Sequence, residues 1–219
     1  MATTIGRKTE WTIGDVMRRF GSIPPGRIRQ TPAPGTATEE DLIAANDRKS
    51  PALCELVDGV LVEKVMGWVE GYFGMRIGTI LTNFVEARGL GVVAGSEGMY
   101  RLLIGLVRLP DVSFIAWDRL PEGRLPRDPI CRAIPNLAIE ILSKGNTKKE
   151  MAEKLREYFA GGVELVWYVD PAKKTVRVYT SPDKSRLLRE GQTLDGGSVL
   201  PGFALPLNEL FAEPRAGGP

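Results

Sequence analysis

A carboxylate stands in the middle of the apolar run Leu137-Ala138-Ile139-Glu140-Ile141-Leu142. A short run of this kind reads as a strand with aliphatic neighbours on both faces. Burying a carboxylate there is costly unless something compensates its charge. A second acid, Asp111, opens the apolar run Val112 to Trp117 directly after Pro110. One metal ion shared by the two acids is one compensation. A buried ion pair of Glu140 with Lys154 or an arginine is another, and Asp111 can equally be a plain strand-start residue.

The chain's 219 residues suit one domain, or one domain with an arm. Its net charge of +2 is too small to mark a nucleic-acid binder by itself, so any basic footprint is local. There is no histidine. That excludes histidine triads and histidine zinc sites, and leaves carboxylates and lysines to carry acid, base or metal chemistry. The two cysteines, Cys54 and Cys131, lack metal-ligand spacing, and Cys54 falls in a strand-like run that suits a buried free thiol. No apolar run reaches the roughly 20 residues of a membrane span, and no signal peptide opens the chain. The expectation is a soluble, cytoplasmic protein with no membrane contact.

Residues 1–50 read as an arm with two short helices and a proline-rich segment. Thr12 to Asp15 and Thr38 to Asp41 have capping-box spacing. Arg18, Arg19, Arg27 and Arg29 are scattered along the arm, which suits solvated side chains better than a phosphate site. Leu53–Val57, the Asp58-Gly59 turn and Val60–Glu63 predict a hairpin. Trp68 to Arg88 predicts a long amphipathic helix, with Gly71, Gly74 and Gly78 allowing close packing. Val107 to Trp117 reads as one strand with a bulge or start at Pro110. Residues 118–135 read as a long polar loop, a flap or partner surface. After the Glu140 strand, Thr147 and Glu150 open a helix to about Ala160, and Leu165–Val169 reads as a central buried strand. The order predicts an α/β protein, a mixed β-sheet flanked by helices.

On the helix after the Glu140 strand, Met151, Leu155, Tyr158 and Phe159 share an inward face with Lys154 on its border. A lysine there can bury its stem and bring its ammonium to the sheet edge. Tyr158 fits the core by the same spacing. Lys148 and Lys149 fall in the first turn, where the helix dipole disfavours positive charge. Together with Lys144 they form a local cluster suited to a polyanion, or are simply solvated.

Asp111, then Glu140 on an apolar strand, then Lys154 on the next helix resembles the PD-(D/E)XK nuclease superfamily. Glu55-Leu56-Val57-Asp58-Gly59, Arg108 to Val112, Leu137 to Ser143, Ala160 to Trp167 and Leu200 to Phe203 are similar to the Uma-type family, generally labelled putative restriction endonuclease. The resemblance covers about residues 53–211. It implies a restriction-endonuclease-like domain over 51–212, with the arm before it and a flexible tail at 213–219. It further implies Mg²⁺-dependent, or Mn²⁺-dependent, hydrolysis of DNA. Asp111, Glu140 and Ile141 would form the metal-ligand set, Glu55 would take the early acidic position, and Lys154 and Tyr158 would complete the centre. Leu142 stands where the superfamily's lysine usually follows its acid, so Lys154 must reach the same point from the helix, Lys144 being the alternative. A second reading keeps the fold as a nucleic-acid-binding or assembly module with little or no turnover, acting as a homo-oligomer such as a dimer.

Overall fold

Pro110 divides what reads as one long strand, and the chain changes sheets there. The computed structural model describes residues 9–21, 23–47, 53–65 and 67–213. Nearly all of the tail at 213–219, the first eight residues and the arm–domain boundary near residue 50 lie outside these.

The arm supplies helices α1 (Ile13–Phe20) and α2 (Glu39–Asp47). The hairpin of β1 (Cys54–Val57) and β2 (Val60–Glu63) leads into α3 (Trp68–Glu86). Strands β3 (Gly91–Gly95), β4 (Met99–Leu103), β5 (Leu106–Arg108), β6 (Val112–Ala116) and β7 (Ile130–Cys131) follow. Next, β8 (Leu137–Ile141), α4 (Lys148–Ala160) and β9 (Leu165–Asp170) form a parallel strand–helix–strand unit. The chain continues through β10 (Thr175–Ser181), β11 (Lys184–Arg189), β12 (Thr193–Gly196), β13 (Leu200–Pro206) and α5 (Leu207–Leu210).

The strands form a five-stranded sheet ordered β2-β1-β5-β4-β7, a six-stranded sheet ordered β11-β10-β9-β8-β6-β3, and the β12–β13 pair. The α/β architecture with mixed sheets and flanking helices is as expected, but in place of one sheet there are, among the described residues, two larger sheets and a separate strand pair. The link between the two larger sheets is Leu109-Pro110-Asp111, between β5 in one sheet and β6 in the other. Proline donates no ladder hydrogen bond, so it suits a point where pairing is handed over.

Alternation along β8 sorts its side chains. Leu137, Ile139 and Ile141 join Ile77 and Leu81 of α3, together with residues of β13 and α5, in one core. Ala138 faces the other way, into a second core with Met151, Leu155 and Tyr158 of α4 and with strands of the five-stranded sheet. Burying about ten such side chains per face at roughly 1.5–3 kcal/mol each dwarfs any single polar contact. A third core packs Leu42 of α2 against Leu56, Leu61 and Val107.

The hairpin turn has positive φ at both Asp58 (51°) and Gly59 (77°), as expected of Asp-Gly. A Cβ on Gly59 would lie 2.4 Å from the carbonyl oxygen of Gly35, so the arm crosses closely there. The capping boxes at Thr12, Thr38 and Thr147 all form. Cys54 and Cys131 are free and buried.

Two expectations are corrected. The arm's arginines are not simply solvated. Arg19 bonds Asp58 (2.9 Å), Glu153 (3.1 Å) and Glu157 (2.6 Å), Arg27 grips Glu150 through two hydrogen bonds, and Arg29 meets Glu63. Only Arg18 of the four is largely exposed, paired with Asp15 of its own helix. The stretch 118–135 is not one open loop either. It buries Leu120 and Ile130, and β7 pairs in parallel with β4.

Candidate active site

The register of β6 and β8 sets Val112 opposite Ile139 in an antiparallel pair. One step outward, Asp111 comes opposite Glu140, both on the face that carries Ser113 and Ala138. The Asp111 amide donates to the Ile139 carbonyl (2.9 Å), so the chain is already hooked to β8 where it leaves Pro110. The Ile141 amide in turn donates to Asp111 Oδ2 (2.7 Å). The two acids remote in sequence thus meet at one end of the inner strands β6 and β8 of the six-stranded sheet.

Lys154 comes from α4, whose buried face carries Met151, Leu155 and Tyr158. Its Nζ lies 2.8 Å from Glu140 Oε1 and 3.1 Å from Glu55 Oε1. Tyr158, fully buried, donates its hydroxyl to the same Glu140 Oε1. Tyr158 is therefore both core and part of the cluster. Neither of these groups bonds Glu140 Oε2, which has no protein donor among the described residues.

Glu55 on β1 accepts from Arg108 Nη1 (2.6 Å) and from the Leu109 amide (3.0 Å). Arg108 Nε donates to Glu157 (2.9 Å). The network therefore joins β1 and β5 of one sheet to β8 of the other through α4. Lys144, Lys148 and Lys149 are all exposed and stand outside it. Lys144 and Lys148 line one groove, whereas Lys149 turns towards Glu153 (3.9 Å). Ile141 offers its amide to Asp111.

Lys64 is a member that sequence reasoning missed. It follows β2 and has only 4% of its side chain exposed. Its Nζ donates to Asp111 Oδ1 (2.9 Å) and to the Leu109 carbonyl (2.6 Å). A lysine after an alternating hairpin strand looks like an ordinary solvent-facing residue. The signal available was the apolar run Val60-Leu61-Val62 just before it.

These contacts shift the acids in opposite directions. Burial pushes Glu55 up, but the charges of Lys154, Arg108 and Lys64 outweigh it and hold the carboxyl at about 2. Glu140 is raised above the ordinary carboxylate range, chiefly by burial, with the charge of Asp111 adding and that of Lys154 opposing. Burial alone would lower Lys154, yet the carboxylates of Glu140 and Glu55 win and raise it, so it stays an ammonium.

Asp111 also lines a cleft of about 450 Å³ between α3 and β3, with Glu70, Gly71, Gly74 and Ser96 among its walls. Its side chain is 16% exposed and is reached from there. Among the described residues no three His, Cys, Asp or Glu side chains are gathered closely enough to hold a metal by themselves. Two carboxylates with waters and substrate oxygens are nonetheless a usual set for Mg²⁺. The open Glu140 Oε2, and the raised Glu140 beside Asp111, are what such a cation would suit. Among the described residues, no helix is long and apolar enough to cross a membrane.

The chain is similar to the solved structure of a putative nuclease belonging to DUF820 from Anabaena variabilis ATCC 29413. The two are 18% identical, with a TM-score of 0.67, over 80% of this chain and 97% of the other. That likeness shows the fold. No curated protein matches. The family model for Uma2, described as "Putative restriction endonuclease", matches residues 40–208, and the chain belongs to that family.

Proposed function

We propose that the protein is a metal-dependent endonuclease hydrolysing DNA phosphodiester bonds at Asp111, Glu140 and Lys154. The observation that carries the reading is the meeting of Asp111 and Glu140 on one face with the Lys154 ammonium 2.8 Å from Glu140. Mg²⁺ or Mn²⁺ would rest on Asp111 and Glu140. When bound, it would polarise the scissile phosphate and lower the pKa of a water.

The chain's own residues do the rest. Lys154 offers a fixed positive charge where negative charge builds on the phosphoryl oxygens, in a site that excludes most water. Tyr158 and Lys154 hold Glu140 by Oε1, and Oε2 is the oxygen left for the cation. Lys64 and the Ile141 amide hold Asp111, and Glu55 keeps Lys154 charged and in place.

The test is cleavage of supercoiled plasmid by the purified protein with Mg²⁺ or Mn²⁺. Asp111→Ala and Glu140→Ala are expected to abolish cleavage while circular dichroism shows a folded domain. Cleavage retained in either variant refutes the assignment. A second reading has its own support: Lys64 and Lys154 already neutralise Asp111 and Glu140, as a module without turnover would need. Absence of calorimetric binding at millimolar Mg²⁺ and Mn²⁺ would favour that reading.

A further inference from the structure

A second groove, of about 1110 Å³, runs beside the candidate centre. Its walls are the start of α3, the β8–α4 loop, the β9–β10 turn and the last described residues. It shares Val65 and Glu70 with the cleft that reaches Asp111, so the two spaces adjoin. From these surfaces we infer that the groove takes a single-stranded nucleic-acid segment, with a base stacked on Trp68 and phosphates met by Lys144 and Lys148. This deepens the nuclease reading and rests on it for its purpose.

Trp68 is 79% exposed, a large apolar ring left in water. It is supported from behind, since its ring lies over Tyr72 at 5.6 Å with an interplanar angle of 6°. Tyr72 is itself braced by Arg76, which donates to its hydroxyl at 2.6 Å. One indole face is thus packed and the other is free, a flat platform of the kind that receives an unstacked base.

Charge favours the same occupant. Lys144 and Lys148 line the groove, are exposed, and make no ion pair among the described residues. Two neighbours are already engaged, Lys173 with Asp170 (2.6 Å) and Lys174 with Glu190 (3.4 Å). Glu70 and Glu213 also line it, and Glu70 stands at the end that adjoins the Asp111 cleft. The lysines and the indole ask for one ligand with both a polyanionic backbone and an accessible aromatic face. Paired duplex hides its base faces in the stack, whereas a single strand exposes them.

The experiment is fluorescence anisotropy with the full chain in EDTA, which separates binding from cleavage. The probes are a labelled oligothymidylate of about twelve nucleotides, the matching duplex, and an oligouridylate to distinguish DNA from RNA. The single strand is expected to bind more tightly than the duplex. Trp68→Ala should weaken single-strand binding by about tenfold, in line with one lost stacking contact, and leave duplex binding unchanged. Trp68→Phe should fall between the two. K144E/K148E should weaken binding and flatten its salt dependence. Equal affinity for both probes, or an unaltered Trp68→Ala, overturns the proposal. So does a change confined to sedimentation, with oligonucleotide affinity constant, since that marks a contact between copies. Wild type that binds as expected but never cleaves with metal removes the nuclease reading alone. Metal-dependent cleavage lost in Asp111→Ala, without Trp68-dependent binding, removes this proposal alone.

Discussion

Lys64 Nζ sits 2.9 Å from Asp111 Oδ1 and is itself almost wholly buried. The same ammonium also binds the Leu109 carbonyl at 2.6 Å, so it clasps both ends of the Pro110 crossing. Lys64→Met should therefore cost about 1–3 kcal/mol in metal-free urea unfolding, because a partly buried carboxylate loses its charge partner. Added Mg²⁺ should then stabilise the variant more than the wild type, since the competing ammonium is gone. Equal responses of the two proteins to Mg²⁺ would count against Asp111 as a ligand.

Tyr158→Phe keeps the ring in the core and removes only the hydroxyl that reaches Glu140. A hydrogen bond to a charged acceptor of this kind is worth about 1.5–3 kcal/mol. A double-mutant cycle with Glu140→Gln should show coupling on the order of 1 kcal/mol. Strict additivity would mean that the hydroxyl and Glu140 do not interact in solution.

Acid stability should depend on Glu55. Its folded carboxyl, at about 2, lies below the ordinary value of 4.5. Its contribution is therefore complete above about 4.5 and is lost as pH falls towards about 2. A shift of that size sets a ceiling of about 3 kcal/mol. Glu140, shifted upwards, works in the opposite sense and is relieved on protonation. Thermal midpoints across the acid range should fall steeply for wild type, and Glu55→Gln should flatten that slope while lowering stability near neutrality. An unchanged slope would contradict the ion-pair cluster around Glu55.

The arm's attachment can be tested at two arginines. Arg27 donates twice to Glu150, at 2.7 and 3.1 Å, and once to the Glu63 carbonyl. Arg27→Ala should cost about 1.5–3 kcal/mol, through hydrogen bonds to a charged partner, and hasten proteolysis within the arm. Arg18, exposed beside Asp15, should be nearly silent when replaced by alanine. Similar losses at both positions would show that position along the arm, and not the ion pairing, governs stability.

Much of the layout was legible because it rests on local rules. The Asp58-Gly59 turn, the three capping boxes and the inward face of α4 follow from short-range chemistry and helical spacing. That Asp111, Glu140 and Lys154 belong together came from the family resemblance; strand alternation and helix periodicity gave only the face on which each side chain lies. What was not readable depends on partners distant in sequence. Val107–Trp117 looks continuous, and only pairing with β1 and β4 on one side and β3 and β8 on the other divides it. Lys64 and the arm's arginines look solvated until Asp111, Glu150 and Glu157 are brought to them by packing.

The three-residue link between the sheets has a consequence for how such a chain can vary. Asp111 is anchored to Ile139 and Ile141 on one side, while Leu109 is anchored to Glu55 and Lys64 on the other. One added residue between them would shift the acid out of register or pull the two layers apart. Length drift is therefore forbidden at that junction and should collect instead in the exposed stretch 121–129.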